Sequence, residues 1–162
     1  MLQPAAIDGL AFARNASVLE GRLDLESMPR LAQSGCSAAN LGFVLEGEIN
    51  QRAKPALALS VDGVVRLECQ RCLESLELPL HFALQLELAR SEAEIAAPDA
   101  EDDVDRVLAG PDMNVAALVE DEVLLALPMV PKHERCNAAA EWAGKAKTSA
   151  FEKLAVLKKL NR

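Results

Sequence analysis

The sequence predicts an α+β fold: an antiparallel β-meander of about five to six strands, open or partly closed into a barrel, packed with one buried helix and flanked by short N-terminal and C-terminal helices. The strongest sign is an unbroken alternation over residues 76–88. Leu76, Leu78, Leu80, Phe82, Leu84, Leu86 and Leu88 alternate with Glu77, Pro79, His81, Ala83, Gln85 and Glu87. A period of two sets one strand face on a core and the other toward water. Weaker copies of the pattern precede it. Residues 115–127, by contrast, are apolar almost all round at helical spacing, as a buried helix requires.

Taken in order, Leu19, Leu23 and Leu25 alternate with Glu20, Arg22 and Asp24. A short helix is expected over residues 28–35. Leu41, Phe43, Leu45 and Ile49 then mark a second strand, and Leu57, Leu59 and Val61 a third. Asp62-Gly63 reads as a two-residue hairpin turn, because Gly tolerates positive φ. Val65 and Leu67 lead outward to Cys69. Pro79 lacks an N–H for a ladder, which places its strand at an edge at that point. Residues 91–105 hold Glu92, Glu94, Asp99, Glu101, Asp102, Asp103 and Asp105 with no basic residue, and read as a mobile acidic loop. Gly110-Pro111 makes a turn, Asp112 or Asn114 caps the helix, and Pro128 ends it. On the helix, Glu120 and Asp121 are expected at solvent margins. Glu122 falls between Val115, Leu118 and Ala126, where a carboxylate needs a partner or an exposed edge. Residues 151–160 can form a short helix bearing Phe151, Leu154 and Leu157.

Length bounds the organisation. The 162 residues suit one domain, and 51% are apolar, enough for a core without disulfide staples. With no Tyr, 1 Trp and 4 Phe, that core is aliphatic. We read residues 1–142 as a single α+β domain containing the acidic loop at 91–105, and residues 143–162 as a basic tail or short helix. No stretch approaches the roughly 18 apolar residues of a membrane span, and the first residues lack the pattern of a signal peptide. The expected compartment is the cytoplasm, where thiols stay reduced. The formal net charge of −8 disfavours non-specific binding to nucleic acid, since phosphate contacts need cations. The tail reverses that sign locally, with Lys145, Lys147, Lys153, Lys158, Lys159 and Arg162 against Glu152.

The residue types with chemistry to offer are few. Cys69-Gln70-Arg71-Cys72 lies between two strands, and His133-Glu134-Arg135-Cys136 follows the helix. Cys69, Cys72, His133 and Cys136 together make a Cys3His set, the four N or S ligands of a closed structural zinc site. The competing reading is four ordinary reduced side chains. A thioredoxin-like dithiol fits less well, because that chemistry uses a strand running into a helix N-terminus. Cys36 reads as a small core residue or an idle thiol. His81 lies on a polar strand face. No phosphate loop, nucleophile elbow or His-Glu-x-x-His helix is present, so catalysis is not expected. No cofactor other than structural zinc and no small-molecule substrate is expected.

Three segments taken together carry a resemblance. They are Leu67-Glu68-Cys69-Gln70-Arg71-Cys72 closing a hairpin, the run Leu118-Val119-Glu120-Asp121-Glu122-Val123-Leu124-Leu125-Ala126-Leu127-Pro128-Met129-Val130-Pro131 followed by His133 and Cys136, and a C-terminal run from Phe151 to Lys159 of Phe-x-x-Leu-x-x-Leu-Lys type. In order, they resemble the bacterial YceD-like family, the large ribosomal RNA subunit accumulation proteins. The resemblance implies a ribosome-biogenesis factor without known catalysis, acting in synthesis, processing or stability of large-subunit (23S) ribosomal RNA. Some relatives carry further cysteines after the Pro-x-x-Pro stretch; this chain has His133 and Cys136 there and none later. The acidic surface suits a basic ribosomal protein or a large-subunit assembly intermediate. Glu120, Asp121 and Glu122 on the helix, with Lys153, Lys158 and Lys159 on the tail, are the candidate partner contacts, the lysines being able to reach ribosomal RNA. A zinc-stabilised interaction module in transcription or RNA turnover is the alternative reading.

Overall fold

The long alternating segments pair as strands in sequence order. The computed structural model describes residues 6–96 and 105–136. Within them β2 (Val18–Asp24), β3 (Ala38–Ile49), β4 (Pro55–Glu68) and β5 (Ser75–Ala89) form an antiparallel meander. The short strand β6 (Arg106–Leu108) completes the sheet order β2-β3-β4-β5-β6. A separate two-stranded pair joins β1 (Ala6–Ile7) to β7 (Met113–Asn114). The α+β class and the meander therefore hold, with two corrections. The sheet is open, with β2 and β6 at opposite edges, so no barrel closes. And β6 runs parallel to β5, pairing Glu87, Leu88 and Ala89 with Arg106, Val107 and Leu108. A parallel neighbour needs a crossover of a dozen or so residues, which the segment after Ala89 supplies. Beside Pro79, β5 has β4 on one side and no strand on the other, as the missing N–H led us to expect.

The inward positions are the ones the alternation marks. Leu41, Phe43, Leu45, Leu57, Leu59, Val61, Val65 and Leu67 are buried, and β5 adds Leu80 and Leu86. Onto this face pack α1 (Gly9–Arg14), α2 (Pro29–Gln33) and α4 (Val115–Ala126), which contribute Ala13, Leu31, Val115, Val119 and Val123 to the same core. The helix α1 is not marked by the alternation. Its signal is Asp8, whose carboxylate accepts the Ala11 N–H at 2.9 Å as an N-cap. Asn114 caps α4 in the same manner, accepting the Ala117 N–H at 3.1 Å, and the helix ends before Pro128. Its burial is one-sided: Leu125 is 79% exposed.

Asp62-Gly63 is not a turn. Both residues lie inside β4, where Gly63 opposes Leu41 and Leu80. The inward parity 57, 59, 61 continues through 63 to 65 and 67, so the apolar period outweighs the turn dipeptide. Gly63 has φ +151, and a Cβ there would collide with the Asn40 carbonyl oxygen and press on Leu41. The real turn follows β3, where Asn50 Oδ1 accepts the N–H groups of Arg52 and Lys54, both at 3.0 Å. Gly63→Ala should accordingly cost about 2–4 kcal/mol in urea unfolding, from backbone strain plus displacement of β3. A loss under about 0.5 kcal/mol would show that the strand pair relaxes freely at this point.

The acidic segment is partly regular, against expectation. A one-turn helix, α3 (Glu92–Ala96), occupies its start; residues 97–104 lie outside the described residues. The same holds for residues 137–162, and so for the expected C-terminal helix and the basic tail.

Candidate metal centre

The site begins where β4 ends. Cys69 donates its N–H to the Glu74 carbonyl at 2.9 Å, and Leu73 donates back to the Cys69 carbonyl at 2.8 Å. Leu73 takes the left-handed conformation, φ 61, to close this turn. The turn turns both thiols toward the segment that follows α4. Two donors fasten that segment in place: the Gln70 N–H to the Pro131 carbonyl at 2.9 Å, and Arg71 Nη2 to the His133 carbonyl at 2.9 Å. Pro131 thus enters the site through its carbonyl, and His133 arrives opposite Cys72.

The four candidate ligands converge. Their ligand atoms all lie within 4.8 Å of one another. Cys69 Sγ is 3.6 Å from Cys136 Sγ, Cys72 Sγ is 3.3 Å from His133 Nδ1, and Cys136 Sγ is 3.7 Å from the same nitrogen. A tetrahedron with Zn–S of about 2.3 Å and Zn–N of about 2.0–2.1 Å has S···S edges of about 3.8 Å and S···N edges of about 3.6 Å. The cluster therefore has the size of a tetrahedral site before any ion is considered. The imidazole is also oriented for it: Nδ1 faces the sulfurs, and Nε2 lies 3.2 Å from the Ser75 carbonyl. Such an outer hydrogen bond fixes the tautomer and ring plane of a metal-ligating histidine. Cys69 is buried and the other three are half-buried.

The electrostatics of the cluster draw in positive charge. Burial opposes ionisation of Cys69, but the backbone N–H groups of Cys72, His133 and Arg71 outweigh it and hold this thiol down at about 5. Cys72 has a helpful donor in the Glu74 N–H, yet burial and the neighbouring sulfurs of Cys69 and Cys136 push it up to about 11. Cys136, then Cys69, raise the pKa of His133, and Cys136 does the same for Arg71. Three sulfurs at this spacing repel as thiolates, and a central cation removes that repulsion.

The remaining candidates fall elsewhere. Glu120, expected at a solvent margin, is 2% exposed, a correction with a clear cause. Helix α2 begins with Pro29 at its first turn and has no side-chain cap of its own. Glu120 Oε1 accepts its free N–H groups, Arg30 at 2.7 Å and Leu31 at 2.9 Å, and Oε2 accepts Arg30 Nε at 2.9 Å. Arg30 also contacts the exposed Asp121. Glu122 is half-buried; burial, then the charges of Asp105 and Asp121, raise its pKa. Lys153, Lys158 and Lys159 lie outside the described residues. Cys36 is buried, its thiol 3.1 Å from the Ala38 carbonyl, as a small core residue would be. His81 is exposed on the polar face. One buried group was not anticipated: Glu87, held by Asn50 Nδ2 at 2.7 Å with Arg52 and Arg106 alongside. Its pairing with Arg106 across β5 and β6 depends on the parallel strand, which gave no sequence signal.

The raised pKa of Glu122 sets a pH test. Above its folded pKa the ionised folded state bears an energetic penalty that the unfolded chain lacks. As pH falls through the folded and then the ordinary glutamate pKa, the folded form takes up its proton first and the penalty disappears. Glu122→Gln should therefore stabilise the protein at neutral pH, with the gain fading as pH drops through the carboxylate range. Thermal unfolding of both chains at several pH values measures it; a gain independent of pH would point to packing instead.

An open sheet clasped to a helix by a Cys-x-x-Cys turn and a following His-x-x-Cys defines an α+β protein with a Cys3His cluster. The comparisons then give it a family. The family model described as "Large ribosomal RNA subunit accumulation protein YceD" matches residues 57–161, which include all four cluster residues. The chain belongs to this family. A curated relative from Haemophilus influenzae, named "Large ribosomal RNA subunit accumulation protein YceD", is 28% identical over 151 residues, covering 85% of this chain and 81% of the relative. No solved structure matches the chain. Among the described residues, no helix is long and apolar enough to cross a membrane.

Proposed function

We propose that this protein is a non-catalytic ribosome-biogenesis factor. It supports synthesis, processing or stability of large-subunit (23S) ribosomal RNA by binding a component of the assembling particle in the cytoplasm. The observation that carries this reading is the family match over residues 57–161, to which the relative's printed name adds the RNA concerned. The direct partner is a basic ribosomal protein rather than bare RNA. Support comes from the net charge of −8 and from opposite-charge complementarity, which speeds encounter and rejects wrong partners.

Cys69, Cys72, His133 and Cys136 hold one structural zinc ion. The support is the spacing of their ligand atoms and the outward bond of His133 to Ser75. With four protein ligands the site is closed, leaving no open position for a reacting water. Its work is mechanical: it ties the end of α4 to the β4–β5 turn and so fixes the acidic helix against the sheet.

Sedimentation profiles of ribosomal particles test the functional reading. Deleting the gene should reduce large subunits and their RNA relative to small ones, and the intact chain should restore them. An unchanged large-subunit population would instead favour the alternative, an interaction module in transcription or RNA turnover.

A further inference from the structure

The helices leave one face of the sheet open. Its outward positions are Glu20, Arg22 and Asp24 on β2, Gly42, Val44, Glu46 and Glu48 on β3, Ala58, Ser60, Asp62, Val64 and Arg66 on β4, and Glu77, Pro79, His81, Ala83 and Gln85 on β5. At one end Asn50, Arg52 and Arg106 close on Glu87 beside the buried Ala56. Across the rest, among the described residues, these positions are exposed or half-buried.

Two properties of this face coincide. Its floor is small or apolar: Gly42, Val44, Ala58 and Ala83 are partly exposed or open, and Val64 is 44% exposed. Its unspent charge is mainly negative, three carboxylates against the exposed cation Arg22 among the described residues. Glu20, Glu46 and Asp62 have no hydrogen bond or ion pair among the described residues, whereas the Arg66 guanidinium is already paired with Glu77 at 2.7 Å. Around Ala38, Asn40 and Val64 the surface dips into a depression of about 310 Å³, walled by that pair. Long cationic side chains match such a surface in both parts. Their methylene stems cover apolar floor while their heads reach carboxylates.

Resting on the reading of this protein as a binding factor with a basic partner, we infer that the open sheet face is the docking surface, and that its occupant is a Lys/Arg-rich protein segment. Glu20, Glu46 and Asp62 receive the cationic heads. Val44, Ala58 and Val64 carry the stems. A nucleic-acid strand is excluded from this face by the same carboxylates, which would meet its phosphates.

The test uses the full chain and a fluorescein-labelled peptide of alternating lysine and alanine, followed by anisotropy at low and physiological salt. Glu46→Lys/Asp62→Lys reverses charge on the face. Glu26→Lys/Asp112→Lys makes the same net change on exposed residues away from it. Thermal unfolding confirms that each variant is folded. The face variant should weaken peptide binding about tenfold or more, with the control within about twofold of the parent. Equal weakening by both pairs would reduce the effect to net charge and overturn the inference, as would no peptide binding by the parent. Tighter binding of polyuridylate than of the peptide would also overturn it, by assigning the surface to RNA. The two readings separate cleanly. Normal large-subunit RNA after gene deletion, with peptide binding still lost in the face variant, would remove the ribosomal role and leave the docking surface standing.

Discussion

Cys72→Ser should lower zinc affinity by about a hundredfold or more and bring thermal unfolding down by roughly 10 °C. Protein purified without chelator should carry about one zinc per chain, and the variant far less. The size of the effect follows from the site's position. Cys69 and Cys72 close the β4–β5 turn, while His133 and Cys136 stand just beyond α4, 61–67 residues on. Without a metal, the two halves are joined by hydrogen bonds: Gln70 to Pro131, Arg71 to His133, and His133 to Cys69 Sγ and the Ser75 carbonyl. Those bonds are single contacts near the surface, each worth about 0.5–1.5 kcal/mol net. Zinc held by four side chains, as proposed, would outweigh them severalfold. Chelation of the parent should reproduce the loss, and the variant should then be indifferent to chelator. Acid should mimic chelation, because the ligands bind metal only when deprotonated. A parent that is metal-free and as stable as Cys72→Ser would leave the cysteines as turn residues and end the zinc proposal.

The cluster was legible because its chemistry is confined to rare residue types at short spacings. With four cysteines and two histidines in the chain, Cys69-x-x-Cys72 and His133-x-x-Cys136 had few rivals. What spacing could not give was the layer that orients them. Gln70, Arg71 and Ser75 act through backbone groups or through a guanidinium that would suit any exposed turn. The sheet divided in the same way. Long strands announced themselves through inward leucines and valines, and even Gly63 kept their parity. The strand β6 is three residues long and too short for a period to show. On α4 the difficulty was rotational. When apolar residues surround a helix nearly all round, the sequence does not say which side faces the core. The wheel placed Glu122 inward and Glu120 at the rim. The deciding partner of Glu120 was a pair of free backbone N–H groups on another helix, invisible to any count of apolar residues.

That pair makes Glu120→Ala the second large effect, a loss of about 2–4 kcal/mol. The substitution leaves the Arg30 and Leu31 N–H groups of α2 without an acceptor, one of them in the buried layer. It also leaves room where a nearly inaccessible side chain stood. The ion pair with Arg30 is the smaller part. Arg30 is about half exposed, and a pair with one partner in water contributes little. Glu120→Gln separates the two contributions. Its amide oxygen still accepts from the helix N-terminus, while the charge facing Arg30 is gone. The glutamine variant should therefore lose less than half of what the alanine variant loses in urea unfolding at neutral pH. If the two lose equally, the charge carries the interaction and the cap does not. If alanine costs nothing, α2 and α4 are held by Leu31 and their shared apolar contacts alone. The cap reading also has a functional corollary. With its carboxylate consumed inside the fold and only 2% of it exposed, Glu120 is not a group that a partner can reach.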